Sequence, residues 1–217
     1  MEKPVRILIV DDHYVVRQGL KMVLREQFPD AIFGEATDGN EGLQRVWDES
    51  WDVLLLDISM PGRGGLEALK DIKQAQPKLP VIVLSMHPED QFAIRVLKLG
   101  ACAYIRKDSA GHELVKGVTA ALRGTRYITS NVAEKLANHL TEADGPSHEA
   151  LSDREYQVMC LIGSGKTVKE IAGDLSLSVK TISTYRSRIL EKMGLKNNSQ
   201  IMRYTVQQGL VDVSAAL

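Results

Sequence analysis

The chain has 217 residues, 44% of them hydrophobic and 25% charged, with a formal net charge of −1. Those values belong to a soluble globular protein of one large domain or two ordinary ones. The longest apolar runs, such as Val53-Leu54-Leu55-Leu56, are far too short for a membrane helix.

The opening residues Met1-Glu2-Lys3-Pro4 lead directly into a strand-like run. No apolar signal region precedes it, so a cytoplasmic location is expected. Strand-like runs at Val5–Val10, Ile32–Ala36, Val53–Leu56, Val81–Leu84 and Ala103–Ile105 alternate with helical patterns near 13–27, 39–48, 64–75, 89–99 and 110–123. Five strands alternating with five helices predict an α/β domain with a parallel sheet, because each parallel crossover requires a helix. Gly100 suits the end of the fourth helix, and Pro77 and Pro80 bracket the turn before the fourth strand. Cys102 and Cys160 lie far apart in apolar segments and read as small core residues of a reducing compartment.

Ser130–Leu140 predicts a short connector helix capped by Ser130, and the polar stretch from Thr141 to His148, with adjacent Gly145 and Pro146, reads as a linker. Beyond it the pattern is wholly helical. Ser152 with Glu155, and Thr167 with Glu170, have capping-box spacing. Ser178 caps a third helix running to about Met193 and closed by Gly194, and Ser199 starts a fourth that ends before Gly209. The predicted organisation is an α/β domain over 1–125, a connector over 126–150 and a four-helix domain over 151–217. This last segment carries 9 basic and 6 acidic residues, leaving 18 and 22 for residues 1–150, a mild asymmetry that suits a nucleic-acid-binding module.

The strand ends carry the chemistry. Strand 1 runs into Asp11 and Asp12, strand 3 into Asp57, strand 4 into Ser85 and strand 5 into Lys107. Ligands of open parallel sheets bind beyond the carboxyl ends of the strands. In a flavodoxin-like sheet of order 2-1-3-4-5, Asp57 has two carboxylates on one flank, a hydroxyl on the other and a lysine within reach. Crowded carboxylates repel one another unless a cation neutralises them. Oxygen ligands suit Mg²⁺, with Asp12, Asp57 and the Ser59 carbonyl as candidate direct ligands and Asp11 acting through water. The shielded Asp57 carboxylate can then attack phosphorus and form an acyl phosphate. Any one of these aspartates alone reads equally well as a helix cap.

With the run Leu55-Leu56-Asp57-Ile58-Ser59-Met60-Pro61-Gly62, this pattern makes residues 5–123 resemble a receiver domain of two-component systems. The resemblance implies phosphoryl transfer from a sensor histidine kinase to Asp57, with Ser85 turning its hydroxyl toward the phosphoryl group. It implies Lys107 as counter-ion and Tyr104 as switch aromatic. Asp108 stands where many receivers have proline.

In the last segment, Thr167–Leu175, a turn at Ser176-Leu177 and Val179–Met193 have the layout of a helix-turn-helix. Ile182, Tyr185, Ile189 and Met193 form one apolar stripe, with Lys180, Ser183, Thr184, Ser187 and Glu191 opposite. Ser183, Thr184 and Ser187 are candidate base readers, and Lys180, Thr181 and Arg188 candidate phosphate contacts. A solvated face of a protein-binding bundle is the alternative, and Glu191 fits it. Leu151-Ser152-Asp153-Arg154-Glu155, Lys169-Glu170-Ile171-Ala172, Ser178-Val179-Lys180-Thr181-Ile182 and Glu191-Lys192-Met193-Gly194 resemble a LuxR-type helix-turn-helix. The whole chain is thus similar to the NarL/FixJ subfamily of response regulators. The similarity implies double-stranded promoter DNA as partner and a homodimer when phosphorylated or DNA-bound, with Ile201, Met202 and Thr205 in the dimer contact.

Four other readings are weaker. Gly163-Ser164-Gly165-Lys166-Thr167 mimics a phosphate-binding loop, but Cys160 stands where its first glycine belongs. The five histidines lack metal-ligand spacing, and His13 and His87 read as rim residues of the acidic site. An aspartyl-phosphate phosphatase or phosphotransferase commonly has a second carboxylate two residues after its nucleophile, where this chain has Ser59. A C-terminal bundle that binds protein or RNA is the remaining rival.

Overall fold

A computed structural model of the chain describes residues 3–60, 65–86, 89–130, 132–134 and 148–211, without the side chains of 89–91, 110, 112 and 149. Pro61, Gly62, His87, His139, the predicted linker up to residue 147 and most of the predicted connector helix lie outside the described residues. The chain divides into two compact units, Met1–Ala133 and Glu134–Leu217.

In the first unit β1 (Arg6–Val10), β2 (Ile32–Ala36), β3 (Val53–Asp57), β4 (Val81–Ser85) and β5 (Ala103–Arg106) alternate with α1 (Tyr14–Gln27), α2 (Gly39–Asp48), α3 (Gly65–Ala75), α4 (Glu89–Lys98) and α5 (Ala110–Leu122). All strand pairs are parallel, in the order β2-β1-β3-β4-β5. Ile7–Val10 and Val53–Leu56 are wholly buried, which explains their continuous apolar runs: a parallel sheet is covered on both faces. Alternate residues of the strands pack with Leu20 and Leu24 of α1 and Leu114 and Val118 of α5. Strands β3, β4 and β5 each run one residue further than apolarity predicts. Pairing continues through Asp57↔Leu84 and Ser85↔Arg106, which draws Asp57 and Ser85 into the sheet as last strand residues.

Two glycines shape this unit. Gly100 has φ +99°, closing α4 into β5 in a conformation that favours glycine. Gly65 opens α3 so close to β3 that a Cβ would lie 2.3 Å from Ile58 Cα and 2.4 Å from the Asp57 carbonyl oxygen. After α5, the Val132 N–H donates to Thr129 Oγ1 at 3.4 Å, so Thr129, not the expected Ser130, takes the capping bond.

In the second unit α6 (Asp153–Gly163), α7 (Val168–Asp174), α8 (Val179–Lys192) and α9 (Asn198–Gln207) follow one another with short turns. Both capping boxes form, Ser152 with Glu155 and Thr167 with Glu170. Ser178 caps α8 by accepting the Thr181 N–H at 3.0 Å. For α9 the cap is Asn197, accepting from Gln200 N, two residues before the expected Ser199. The turn between α7 and α8 holds Ser176 at φ +51°, the single non-glycine with positive φ among the described residues. No helix among the described residues is long and apolar enough to cross a membrane.

Candidate phosphoacceptor site and nucleic-acid interface

The strand ends converge. Asp57 is wholly buried, and Lys107 Nζ donates to its Oδ2 at 2.7 Å. The same ammonium lies 2.7 Å from Asp11 Oδ2, the other fully buried carboxylate. Burial pushes the Asp57 carboxyl up, and Asp11 adds to that, whereas Lys107 and the Ser59 N–H pull it down; the net position is above the ordinary value. Burial would lower Lys107, but the two carboxylates outweigh it and raise the ammonium's pKa. Lys107 is therefore held charged between two buried carboxylates.

The backbone around them is tied by the same groups. Asp57 Oδ1 accepts the Ser59 N–H at 2.9 Å, and Asp11 Oδ1 accepts the His13 N–H at 2.8 Å. Both aspartates thus do the turn-forming work of a cap while keeping their other oxygens for the site. Ser85 closes β4 in a fully buried position, its carbonyl accepting the Lys107 N–H at 2.9 Å. Tyr104, one strand over, is buried.

One ligand atom from each of Asp11, Asp12, His13 and Asp57 lies within 4.8 Å of the others. Asp12 Oδ1 is buried without a hydrogen bond, as is the Ser59 hydroxyl oxygen. Three carboxylates gathered this closely repel one another unless a cation neutralises them, and their oxygens fit a hard divalent ion. His13, expected at the rim, has a side chain 65% exposed, and its Nδ1 lies 3.0 Å from Asp12 Oδ1, at the edge of the group.

A second set of residues supports the site from behind and carried no sequence motif. Arg17 is buried on α1; its Nη1 donates to the Asp11 carbonyl at 2.8 Å and its Nε to Glu35 Oε2 at 2.8 Å. Lys21 Nζ donates to Glu35 Oε1 at 2.5 Å. Hydrogen bonds from Lys21 and Arg17 hold the Glu35 carboxyl below its ordinary value. The available signal was an arginine at the i−3 and i−7 positions of the core leucines Leu20 and Leu24.

In the second unit, Ile182, Ile189 and Met193 are buried, while Lys180, Ser183, Thr184, Ser187, Arg188 and Glu191 are exposed on α8. The hydroxyls of Ser183, Thr184 and Ser187 donate to the carbonyls four residues earlier, at 2.9, 3.0 and 3.0 Å. Thr181 is half-buried, its hydroxyl 2.8 Å from that of Ser178. Arg186 Nε is bound to Asn198 Oδ1 at 2.5 Å, joining α8 to α9. Lys192, at the end of α8, donates to Glu155 Oε2 at 2.6 Å.

The expected dimer residues need correction. Ile201 and Thr205 are both fully buried within this unit, where Thr205 packs against Gly163 of α6 and donates to the Met202 carbonyl at 2.9 Å. They belong to the core. Met202 and Val206 are the exposed apolar residues of α9. The loop-like Gly163–Thr167 run ends α6 and caps α7, with Gly165 at φ +88° and Lys166 paired to Asp174 at 2.6 Å. Cys160 is buried in α6, whereas Cys102 is partly exposed, and burial pushes its thiol up to about 11.

A five-stranded parallel sheet with a buried acidic site, on one chain with a helix-turn-helix, defines a receiver-type regulatory protein. Residues 7–119 match the response regulator receiver domain, and residues 149–205 match the bacterial regulatory proteins of the luxR family. The chain is 34% identical to response regulator GacA of Pseudomonas viridiflava, over 97% of this chain and 100% of that one. It is 33% identical to response regulator UvrY of Escherichia coli K12, over 95% of each. Among solved structures it resembles RcsB of Salmonella enterica serovar Typhimurium bound to promoter rprA with the phosphomimetic BeF3−. That match has 29% identity and a TM-score of 0.61, covering 93% of this chain and 98% of that one. The chain belongs to the NarL/FixJ subfamily of two-component response regulators, DNA-binding transcriptional regulators built from a receiver and a LuxR-type helix-turn-helix.

Proposed function

We propose that this regulator accepts a phosphoryl group on Asp57 from a sensor histidine kinase and thereby controls its dimerisation and its binding to double-stranded promoter DNA. The carrying observation is the buried Asp57 carboxylate, 2.7 Å from Lys107 and grouped with Asp11 and Asp12. An Asp57 oxygen attacks phosphorus, the P–N bond to the kinase histidine breaks, and the departing imidazole keeps the electron pair. Asp11, Asp12, Asp57 and Ser59 would hold Mg²⁺, which supplies charge neutralisation for the phosphoryl oxygens. Lys107 is the second positive charge, and Ser85 supplies a hydroxyl donor. A phosphoryl group adds roughly −1.5 to −2 charges, so the Ser85 and Lys107 loops move inward and Tyr104 repacks in response.

Two charge-assisted hydrogen bonds at roughly 1.5–3 kcal/mol each supply about 3–6 kcal/mol. Moving a two-state equilibrium from 1:99 to 99:1 takes about 5.5 kcal/mol, which these bonds reach at the upper end of their range. The chain is a phosphoacceptor, not a turnover enzyme, and acts in the cytoplasm. Its working parts are a receiver over 1–125, a connector over 126–150 and a DNA-binding domain over 151–217. Lys180, Thr181 and Arg188 contact phosphates, and Ser183, Thr184 and Ser187 face base edges. The RcsB relative bound to a promoter beside a phosphomimetic supports the same coupling here.

Acetyl phosphate with Mg²⁺ is expected to add one phosphoryl group by intact mass and to tighten duplex binding, and Asp57→Asn to abolish both. Full labelling of the Asp57→Asn protein would overturn the assignment. Ser85→Ala should still be labelled but respond less in DNA binding.

A further inference from the structure

The group beside Asp57 contains one donor that a magnesium site does not need. His13 follows Asp11 and Asp12 directly, and the bond from its N–H to Asp11 Oδ1 at 2.8 Å sets its backbone beside the acidic group. Its Nδ1 stands 3.0 Å from Asp12 Oδ1 and 3.4 Å from Asp11 Oδ1. Donor atoms at about 2.1 Å from one ion lie roughly 3 to 4.2 Å apart around an octahedron. Four donors within 4.8 Å of one another therefore close on a single cation with shifts of a fraction of an ångström.

Asp12 Oδ1 belongs to the same group, is shielded from solvent and faces His13 Nδ1 at 3.0 Å, an ion-pair distance. Two atoms so placed have the spacing of neighbouring ligands on a shared ion. Their chemistry selects among ions: carboxylates suit Mg²⁺, whereas imidazole nitrogen adds little for Mg²⁺ and much for Zn²⁺ and its neighbours. The His13 side chain is 65% exposed, so the ring can reach an arriving hydrated ion without opening the fold.

We propose that His13 is a nitrogen ligand of the Asp11–Asp12–Asp57 site and makes that site take borderline divalent ions, Zn²⁺ above all, in competition with Mg²⁺. The inference rests on reading the acidic group as a cation site.

The test titrates full-length wild-type and His13→Ala proteins with Zn²⁺ and, separately, with Mg²⁺ against a chromophoric chelator. Mn²⁺ bound to each protein is also examined by pulsed EPR for coupling to nitrogen. Loss of a partner that merely supports a metal ligand costs about 10–100-fold in affinity. Loss of a ligand itself should cost at least about tenfold for Zn²⁺, while Mg²⁺ affinity stays within about twofold. Nitrogen coupling is expected in the wild type and not in the variant. An unchanged ratio of Zn²⁺ to Mg²⁺ affinity, or no nitrogen coupling in the wild type, overturns the inference about His13 and leaves the acidic site standing. Failure of both proteins to bind Mg²⁺ overturns the acidic site and the inference together.

Discussion

Lys107 Nζ lies 2.7 Å from Oδ2 of Asp57, across 50 residues of sequence, and the same nitrogen is 2.7 Å from Asp11 Oδ2. One ammonium thus offsets two carboxylates that have no access to solvent. Removing one partner of a buried pair costs roughly 3–5 kcal/mol, because the remaining charge is left without compensation. Lys107→Met is expected to lose stability of that order in urea unfolding with EDTA present. Protonation of Asp57 softens the loss at low pH, so the deficit grows as pH rises. Saturating Mg²⁺ should restore about 2.7 kcal/mol at a hundred times its dissociation constant. Equal stability of the two proteins in EDTA would show that the pair contributes nothing.

Glu155 makes a comparable link in the second unit. Its Oε2 accepts from Ser152 N at 2.8 Å and from Lys192 Nζ at 2.6 Å, tying the start of α6 to the end of α8. Burial pushes this carboxyl up, but Lys192 and Ser152 outweigh burial and hold it below its ordinary value. The folded state therefore prefers the charged form more than the unfolded chain does. The resulting stability is present above about pH 4.3, the ordinary glutamate value, and is lost as pH falls through the depressed one. Glu155→Gln should cost about 1–3 kcal/mol at neutral pH and flatten the acid limb of the unfolding curve. Parallel acid limbs for the two proteins would refute this role.

The sheet was legible because its strands are short continuous apolar runs, and the α/β alternation leaves few topologies. The acidic site was legible because each of its members stands at a strand end. What escaped was set by contacts between distant residues. Arg17 and Glu35 are 18 residues apart and meet only once α1 packs beside β2. Burial on α9 also escaped, because Ile201, Met202, Thr205 and Val206 share one apolar pattern. Close packing of Thr205 on Gly163, where a Cβ would lie 2.4 Å from Oγ1, decides which side faces inward.

That distinction separates two kinds of α9 variant. Met202→Asp and Val206→Asp place charges on an exposed apolar strip, so they should weaken self-association on DNA while leaving the melting temperature nearly unchanged. Ile201→Ala instead opens a cavity in the four-helix core and should cost about 2–5 kcal/mol. Analytical ultracentrifugation with a duplex, beside thermal unfolding, checks both. Self-association unaffected by either aspartate would place the dimer contact elsewhere.

The exposed face of α8 makes a sharper prediction about DNA. Ser183, Thr184 and Ser187 each donate their hydroxyl proton to a helix carbonyl four residues earlier. A hydroxyl used in that way keeps its oxygen lone pairs, so it meets DNA as an acceptor. The base donors open to it in the major groove are the amino groups of cytosine and adenine. Ser183→Ala and Ser187→Ala should therefore relax preference at individual base pairs, at a cost of about 1–3 kcal/mol for the preferred base. Lys180 has no such directional role, and Lys180→Ala should weaken binding to all duplexes alike. It should also reduce the slope of log affinity against log salt by about 0.9, the value for one phosphate contact. Selection from a random duplex pool, followed by salt titration of the winners, measures both effects. If the serine variants keep the wild-type preference and change only the salt slope, then α8 does not read bases through these hydroxyls.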